Sequence, residues 1–245
     1  MQVFARRRKV KFTMIDKLLG WLSPHMCEGC KEVGETLCKR CNFYILEHKW
    51  CKCVGCQHQI TTPELTKTGN LCFGCSQILP FNKVFVVGAR TGILRRLVGN
   101  YKYFSRRESS KAIAKLLENI LPENLPNLVI VPLPTISKRI RERGFDHMKL
   151  VAHELARLRG WPCDLALLRR TDNVSQHSAN LRQRQQQAAK AFTINPRRPV
   201  PPHILLIDDI YTTGATTTTA AKLLKKHGAQ EVYLGIVARQ VSQSK

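Results

Sequence analysis

The sequence predicts an α/β protein whose central sheet is mostly parallel and follows a cysteine-rich module. Short apolar runs near residues 84–88, 128–132, 204–208 and 232–238 are typical of strands that are buried on both faces. Amphipathic stretches separate these runs, and alternation of strands with helices favours a parallel sheet. Nine of the ten cysteines precede the first of these strands, which places a separate module before the sheet.

Three regions differ in composition. Residues 1–26 begin with a basic run and continue with apolar residues at helical spacing, which indicates a basic, amphipathic segment. Residues 27–80 hold the clustered cysteines, and residues 81–245 hold the predicted strands. Asp16 and Lys17 interrupt the amino-terminal apolar stretch, so it does not match a secretory signal. No apolar run has the length of a transmembrane segment.

The charge balance favours a polyanionic partner. Lys and Arg total 40 against 17 acidic residues, which gives a formal net charge of +23. Residues 81–245 contribute 28 of the basic residues and 11 of the acidic ones, so most of the excess lies outside the cysteine-rich region. A field of this size favours nucleic acid ahead of a membrane surface.

The clearest candidate site follows the apolar run Ile204–Ile207. Asp208 and Asp209 come where this strand is expected to end, and a turn of small residues follows: Thr212, Thr213, Gly214, Ala215 and Thr216. A helix is predicted from Thr217 to Lys226. The backbone N–H groups of such a turn, with the positive end of the helix dipole behind them, can bind a phosphate group. The lysine of a Walker A loop is missing.

The acidic pair restricts the ligand, because carboxylates beside a phosphate site repel it unless they face hydroxyl groups or a divalent metal. A sugar phosphate meets this requirement, with its phosphate in the turn and its ribose hydroxyls against Asp208 and Asp209. The alternative is an ordinary helix start in which Asp209 and Thr212 act as caps. Capping alone does not require two adjacent acids and five small residues.

This stretch strongly resembles the fingerprint of type I phosphoribosyltransferases, which is a buried strand, Asp-Asp, one or two residues, and Thr-Thr-Gly-x-Thr. The resemblance implies a type I phosphoribosyltransferase-like sheet that binds phosphoribosyl diphosphate together with Mg²⁺. We assign the turn residues and the two acids to this donor. No residue in the sequence stands out as a catalytic base or as an acceptor pocket.

Four Cys-x-x-Cys pairs predict two structural zinc sites: Cys27/Cys30, Cys38/Cys41, Cys53/Cys56 and Cys72/Cys75. Each pair presents two thiolates, so two pairs complete one four-thiolate site. The sequence does not fix which pairs combine, and combination of neighbours along the chain is the simplest arrangement. A disulfide framework and iron–sulfur ligation are the alternatives, and thiols in the cytosol stay reduced. Cys51 is a spare or substitute ligand.

A basic, aromatic stretch follows the first strand of the sheet. Its candidate nucleic-acid contacts are Arg95, Arg96, Tyr101, Tyr103, Arg106 and Arg107. Cations that follow a phosphate backbone, beside rings on which bases stack, are what single-stranded DNA binding requires. The same pattern also fits an amphipathic helix with a solvated basic face and its aromatic residues in the core. The sequence leaves both interpretations open.

A second cationic cluster follows the run Val131-Pro132-Leu133-Pro134. Arg141 and Arg143 lie in the segment Arg141-Glu142-Arg143-Gly144-Phe145, and we expect them, with Lys102, to contact the pyrophosphate group of the donor. Together with Tyr101-Lys102-Tyr103, the cysteine pairs and the Asp-Asp loop, these motifs resemble the bacterial ComF/GntX family over nearly the whole chain. Asn-Gln is usual after the phenylalanine in that family, whereas Asp146 and His147 stand here.

The resemblance implies a competence protein of natural transformation, which handles incoming single-stranded DNA in the cytoplasm on a phosphoribosyl-diphosphate-binding fold. It also implies other DNA-uptake or recombination proteins as partners. The alternative is an active phosphoribosyltransferase that acts on an unknown amine or base. A third hypothesis keeps donor binding as a regulatory signal without chemistry.

Overall fold

The structure is a computed structural model that describes residues 26–61, 65, 67–103, 107–171 and 191–241. The predicted amino-terminal segment, apart from Met26, lies outside the described residues, and so does Arg106. Only the backbone is described for Lys102 and Tyr103.

The described residues form six strands: β1 (Lys83–Ala89), β2 (Val129–Pro132), β3 (Leu168–Arg170), β4 (Phe192–Ile194), β5 (His203–Tyr211) and β6 (Glu231–Arg239). The central sheet has the order β1-β6-β5-β2, and all of its pairings are parallel. Its four strands lie where the apolar runs predict them, so the α/β fold class is confirmed. The antiparallel pair β3–β4 is not predicted, because three-residue strands are too short to show a period.

The described helices are α1 (Lys39–Glu47), α2 (Phe73–Ile78), α3 (Gly92–Tyr103), α4 (Ser109–Ile120), α5 (Ser137–Arg143), α6 (His147–Arg159) and α7 (Ala215–Lys226). The helix α7 begins two residues earlier than predicted, directly after Gly214. Within the described ranges, no helix combines the length and the apolar character that crossing a bilayer requires.

The two faces of the central sheet carry separate hydrophobic cores. Alternate residues of a strand point to opposite faces. Accordingly, Leu205 and Ile207 pack with α3, α4 and α6, whereas Ile204 and Leu206 pack with α7. Cys27 and Cys41 belong to the first core, and Cys53 belongs to the second. The cysteine-rich region therefore contributes to both faces, and the predicted boundary after residue 80 does not separate two cores.

Trp50 and Asn70 also cover the outer edge of β1, which would otherwise leave backbone groups unpaired. Trp50 N–H donates to the carbonyl of Val87 at 3.3 Å, and Asn70 N–H donates to that of Val84 at 2.6 Å. The buried Asn70 side chain accepts from Val86 N–H at 2.9 Å and donates to the Trp50 carbonyl at 2.8 Å. This part of the cysteine-rich region is thus fixed directly to the sheet.

Candidate functional site

The small-residue turn connects β5 to α7 at the carboxyl end of the parallel sheet, which is where open α/β sheets bind ligands. The side chains of Thr212, Thr213, Ala215 and Thr216 are exposed. The first turn of α7 leaves backbone N–H groups without intrahelical partners. The five predicted turn residues therefore lie together at this edge of the sheet, in the arrangement that the anion-binding prediction requires.

Gly214 is required at this turn by both its conformation and its surroundings. Its backbone has φ of 77°, in the left-handed region that favours glycine. A Cβ atom at this position would lie 2.0 Å from the Tyr211 hydroxyl oxygen and 2.3 Å from the ring carbon that bears it. The Tyr211 ring is buried, so it has little room to move away.

The two acids differ in their environment. Asp208 is half-buried, whereas Asp209 is only 7% exposed. The backbone N–H of Asp209 donates to Oδ1 of Asp208 at 2.9 Å, which fixes the orientation of the Asp208 carboxylate. Oδ2 of Asp209 forms a short hydrogen bond with Nε2 of His147. The accessible carboxylate of the pair is therefore Asp208.

His147 holds Asp209 in place, although it is not among the predicted site residues. Nη1 of Arg143 lies 2.9 Å from Nδ1 of His147, and a guanidinium group can only donate. Nδ1 is therefore the acceptor, and Nε2 carries the proton that is donated to Asp209. Asp146 caps α6 by accepting from Met148 N–H, which places His147 in the first turn of that helix. In the sequence, His147 is marked only by the pair Asp146-His147, which stands where the ComF/GntX family usually has Asn-Gln.

The predicted donor-binding cations occupy different positions. Arg143 contacts the acidic pair through His147, whereas Arg141 is exposed at the end of α5. The backbone of Lys102 lies near the end of α3. The helix α5 was not predicted, and it ends at Gly144 in the left-handed conformation.

The position of Tyr101 differs from the one that the predicted stacking surface requires. Its side chain is 1% exposed, and its hydroxyl donates to the His147 carbonyl at 2.6 Å. Burial raises the pKa of this hydroxyl. The ring lies 5.9 Å from that of Phe145, so it fills the core and offers no face to a base. For Tyr101, the amphipathic-helix interpretation is the correct one.

The arginines of the same stretch are divided in role. Nε of Arg96 donates to the carbonyl of Glu28 at 2.8 Å, which attaches α3 to the first cysteine pair. Arg95 and Arg107 are exposed, and the Arg107 guanidinium lies 5.3 Å from the centre of the Phe145 ring. Arg95 and Arg107 thus present cations to solvent, whereas Arg96, although exposed, is engaged in a structural contact.

The eight paired cysteines form two clusters: Cys27, Cys30, Cys38 and Cys41 in the first, and Cys53, Cys56, Cys72 and Cys75 in the second. Within each cluster the sulfur atoms lie within 4.8 Å of one another. The simplest predicted pairing is therefore the one that occurs. Cys51 belongs to neither cluster, and its Sγ donates to the Lys49 carbonyl.

Backbone N–H groups in both clusters suit thiolate ligands. Burial alone would raise the pKa of Cys27, but the N–H groups of Cys38, Cys30 and Gly29 lower it to about 6. The Cys72 N–H similarly donates to Sγ of Cys53 at 3.4 Å. A deprotonated sulfur is the form that binds a metal. Each cluster therefore has the four ligands and the local stabilisation that a tetrahedral metal site requires.

A parallel α/β sheet with an acidic pair and a Thr-Thr-Gly turn at its carboxyl edge defines a type I phosphoribosyltransferase-like protein, here with two tetrathiolate sites. No family model matches the chain. The DNA utilization protein YhgH of Salmonella typhimurium is 30% identical over 168 residues, which cover 65% of this chain and 73% of that protein. Competence protein F of Haemophilus influenzae is 26% identical over 219 residues, which cover 82% and 94%. The chain belongs to the family of these two proteins, the ComF/GntX family.

Solved structures that match part of the chain include glutamine phosphoribosylpyrophosphate amidotransferase from B. subtilis, at 20% identity and a TM-score of 0.42. The match covers 57% of this chain and 30% of that enzyme. Hypoxanthine phosphoribosyltransferase from Trypanosoma cruzi matches at 13% identity and a TM-score of 0.34, over 58% and 71%. At these TM-scores nothing follows about activity.

Proposed function

We propose that this protein acts in natural transformation, where it handles incoming single-stranded DNA in the cytoplasm. The observation that carries the proposal is its similarity to competence protein F over 94% of that protein's length. The name of the other relative, DNA utilization protein YhgH, supports the same role. The net charge of +23 provides the electrostatic attraction that a polyanion requires.

The fold is further proposed to bind phosphoribosyl diphosphate with Mg²⁺. The turn Thr212–Thr216 would hold the 5′-phosphate through its backbone N–H groups. Asp208, as the more accessible acid, would contact ribose hydroxyls or the metal. Asp209 accepts a hydrogen bond from His147, which would orient this buried carboxylate beside the ligand. Arg141 and Lys102 are proposed contacts of the pyrophosphate group, with Arg143 supporting the acidic pair.

An active phosphoribosyltransferase is not favoured over this role. Transfer to an amine or base needs a general base close to the acceptor. Among the described residues, His147 is a titratable group in direct contact with the acids, but Arg143 occupies one of its nitrogens and Asp209 the other. Donor binding that acts as a regulatory signal agrees with this arrangement.

Both cysteine clusters are proposed to hold structural zinc. Four thiolates complete a tetrahedral site and leave no open position for substrate. Because Cys27 and Cys53 belong to the two cores of the sheet, metal binding is expected to stabilise the whole fold.

We expect the purified protein to contain two zinc ions per chain by elemental analysis. The variants Cys27→Ser and Cys72→Ser should each retain one ion, because each removes a ligand from a different cluster. Cys163→Ser is the control and should retain both, since this thiol lies outside the clusters and burial raises its pKa to about 12. A preparation that folds without any metal would contradict the proposal.

The proposed DNA surface needs exposed rings in place of Tyr101. Phe43 and Tyr44 on α1 are 64% and 56% exposed, and this helix packs against α3, which carries Arg95. Lys39, at the start of α1, is also exposed. Exposed aromatic residues beside cations fit single-stranded DNA, because every base offers a face for stacking.

Binding of single-stranded DNA should weaken steeply with salt, at about −0.7 in the logarithmic slope for each neutralised phosphate. Arg95→Ala with Arg107→Ala should flatten this slope by up to roughly 1.4. Lys222→Ala with Lys226→Ala is the control. It removes the same charge from α7, on the opposite face of the central sheet from α3, and should change the salt slope little. Fluorescence anisotropy over a salt series measures both variants.

The aromatic residues should affect affinity rather than the salt slope. Phe43→Ala with Tyr44→Ala should weaken binding by on the order of 1–3 kcal/mol for each base that loses its stacking partner.

Equal salt slopes for the wild type and for the variant that lacks Arg95 and Arg107 would place the DNA surface elsewhere. A folded, zinc-loaded protein that binds no DNA at low salt would contradict the DNA-handling role and favour the enzyme.

A further inference from the structure

Arg239 is a buried cation at the end of β6 that the proposed function does not use. Its side chain is 5% exposed, and none of the carboxylates in the described ranges forms an ion pair with it. Its guanidinium group instead donates to three backbone carbonyls. These belong to Val54, at 2.7 Å from Nε, to Tyr211, at 3.3 Å from Nη1, and to Gln240. Because burial of a charge without an opposite charge is costly, this arrangement requires a specific explanation.

The partners of Arg239 belong to two different sites. Val54 follows Cys53 in the second cysteine cluster. Tyr211 is the last residue of β5, and its ring occupies the space beside Gly214 in the phosphate-binding turn. The Arg239 guanidinium carbon also lies 5.1 Å from the centre of the Tyr211 ring. One side chain therefore joins the second cluster to the residue on which the turn packs.

The charge of the cluster explains how a guanidinium group is tolerated here. Four thiolates around a divalent ion carry a net charge of about −2. Burial lowers the pKa of Arg239, and the attraction of Tyr211 and of the Cys53 thiolate opposes that shift. With a divalent ion bound, the second cluster would thus supply the negative charge that no described carboxylate supplies.

The first cluster is attached to a different part of the fold. Arg96 donates to the Glu28 carbonyl beside Cys27, and Asn100 Nδ2 donates to Oε2 of Glu28 at 2.6 Å. Both contacts lie on α3, on the opposite face of the sheet from the second cluster. The first cluster can therefore serve as the control for the second.

We propose that Arg239 is a positioning residue that ties the phosphate-binding turn to the second cysteine cluster. The geometry of the turn then depends on the metal bound at the second cluster and not on that at the first. This inference rests on the proposed binding of phosphoribosyl diphosphate.

The first test compares Cys56→Ser in the second cluster with Cys30→Ser in the first, by calorimetric titration with phosphoribosyl diphosphate and Mg²⁺. Each variant should retain one zinc ion. Donor affinity should fall by roughly tenfold or more in Cys56→Ser, and stay close to that of the wild type in Cys30→Ser. Equal losses in the two variants would overturn the linkage while leaving the donor site in place. A wild type that binds no donor would remove the donor site and the linkage with it.

The second test measures the second cluster directly by spectroscopy, and its result does not depend on the stability of the fold. In Cys30→Ser protein loaded with Co²⁺, the absorption bands report the second cluster alone. Addition of the donor should shift these bands, because coupling between two sites is reciprocal. The shift should disappear in Arg239→Gln and be partly restored in Arg239→Lys. If Arg239→Gln does not fold, the cysteine pair decides, and bands that do not respond to bound donor contradict the proposal.

Discussion

Replacement of both Asp208 and Asp209 by asparagine is expected to abolish donor binding and to leave the fold intact. Hydrogen bonds to charged groups contribute about 1.5–3 kcal/mol each, so loss of both carboxylates should weaken binding by on the order of a hundredfold or more. The folded structure should tolerate the change. The amide oxygen of asparagine can still accept from the Asp209 N–H and from Nε2 of His147.

Calorimetry with phosphoribosyl diphosphate and Mg²⁺ measures this effect, and circular dichroism checks the fold. Asp164→Asn is a suitable control, because Asp164 pairs with Arg198 at 3.6 Å, away from the acidic pair. The double variant should still bind single-stranded DNA, since the two carboxylates repel phosphate. Unchanged donor affinity in a folded double variant would show that the site lies elsewhere.

Gly214→Ala is expected to weaken donor binding by a comparable amount, through the shape of the turn. The left-handed conformation costs a non-glycine residue about 1–2 kcal/mol. In addition, the new methyl group would collide with the buried Tyr211 ring. Because that ring also stacks with Arg239, the turn would have to move instead, and its N–H groups would no longer converge on the phosphate.

Gly160→Ala is the matched control for this variant. Gly160 also has a left-handed backbone, with φ of 67°, but a Cβ atom there would meet no other atom within 4 Å. The control should therefore lose about 1–2 kcal/mol of stability and keep its donor affinity. Thermal denaturation and calorimetry on the two variants separate conformational strain from disruption of the turn. Equal donor affinities in the two variants would exclude a role for the turn.

Local patterns in the sequence were sufficient for several parts of this protein. The four strands of the central sheet were predictable, because parallel strands buried on both faces are continuous apolar runs. The acidic pair and the turn Thr212–Thr216 are contiguous, so their proximity follows from the chain itself. Each Cys-x-x-Cys pair is also local, and two clusters could be expected from four pairs.

Features that join distant segments were decided by the tertiary structure. His147 and Asp209 are 62 residues apart, and Val54 and Arg239 are 185 residues apart. Whether such residues meet depends on the strand order β1-β6-β5-β2 and on which helix covers each face. The period of an amphipathic helix likewise shows on which side of α3 Tyr101 lies. It does not show whether that side faces solvent or packs against α6.

The sequence by itself thus determined the parallel α/β class, the acidic pair with its turn, and the cysteine pairs. Each of these is encoded within a few consecutive residues. Only the tertiary structure decided that Tyr101 is buried, that His147 holds Asp209, and that Arg239 joins the second cysteine cluster to Tyr211. The physical reason is that burial and hydrogen bonding between distant residues arise from the packing of whole elements, which no short stretch of sequence contains.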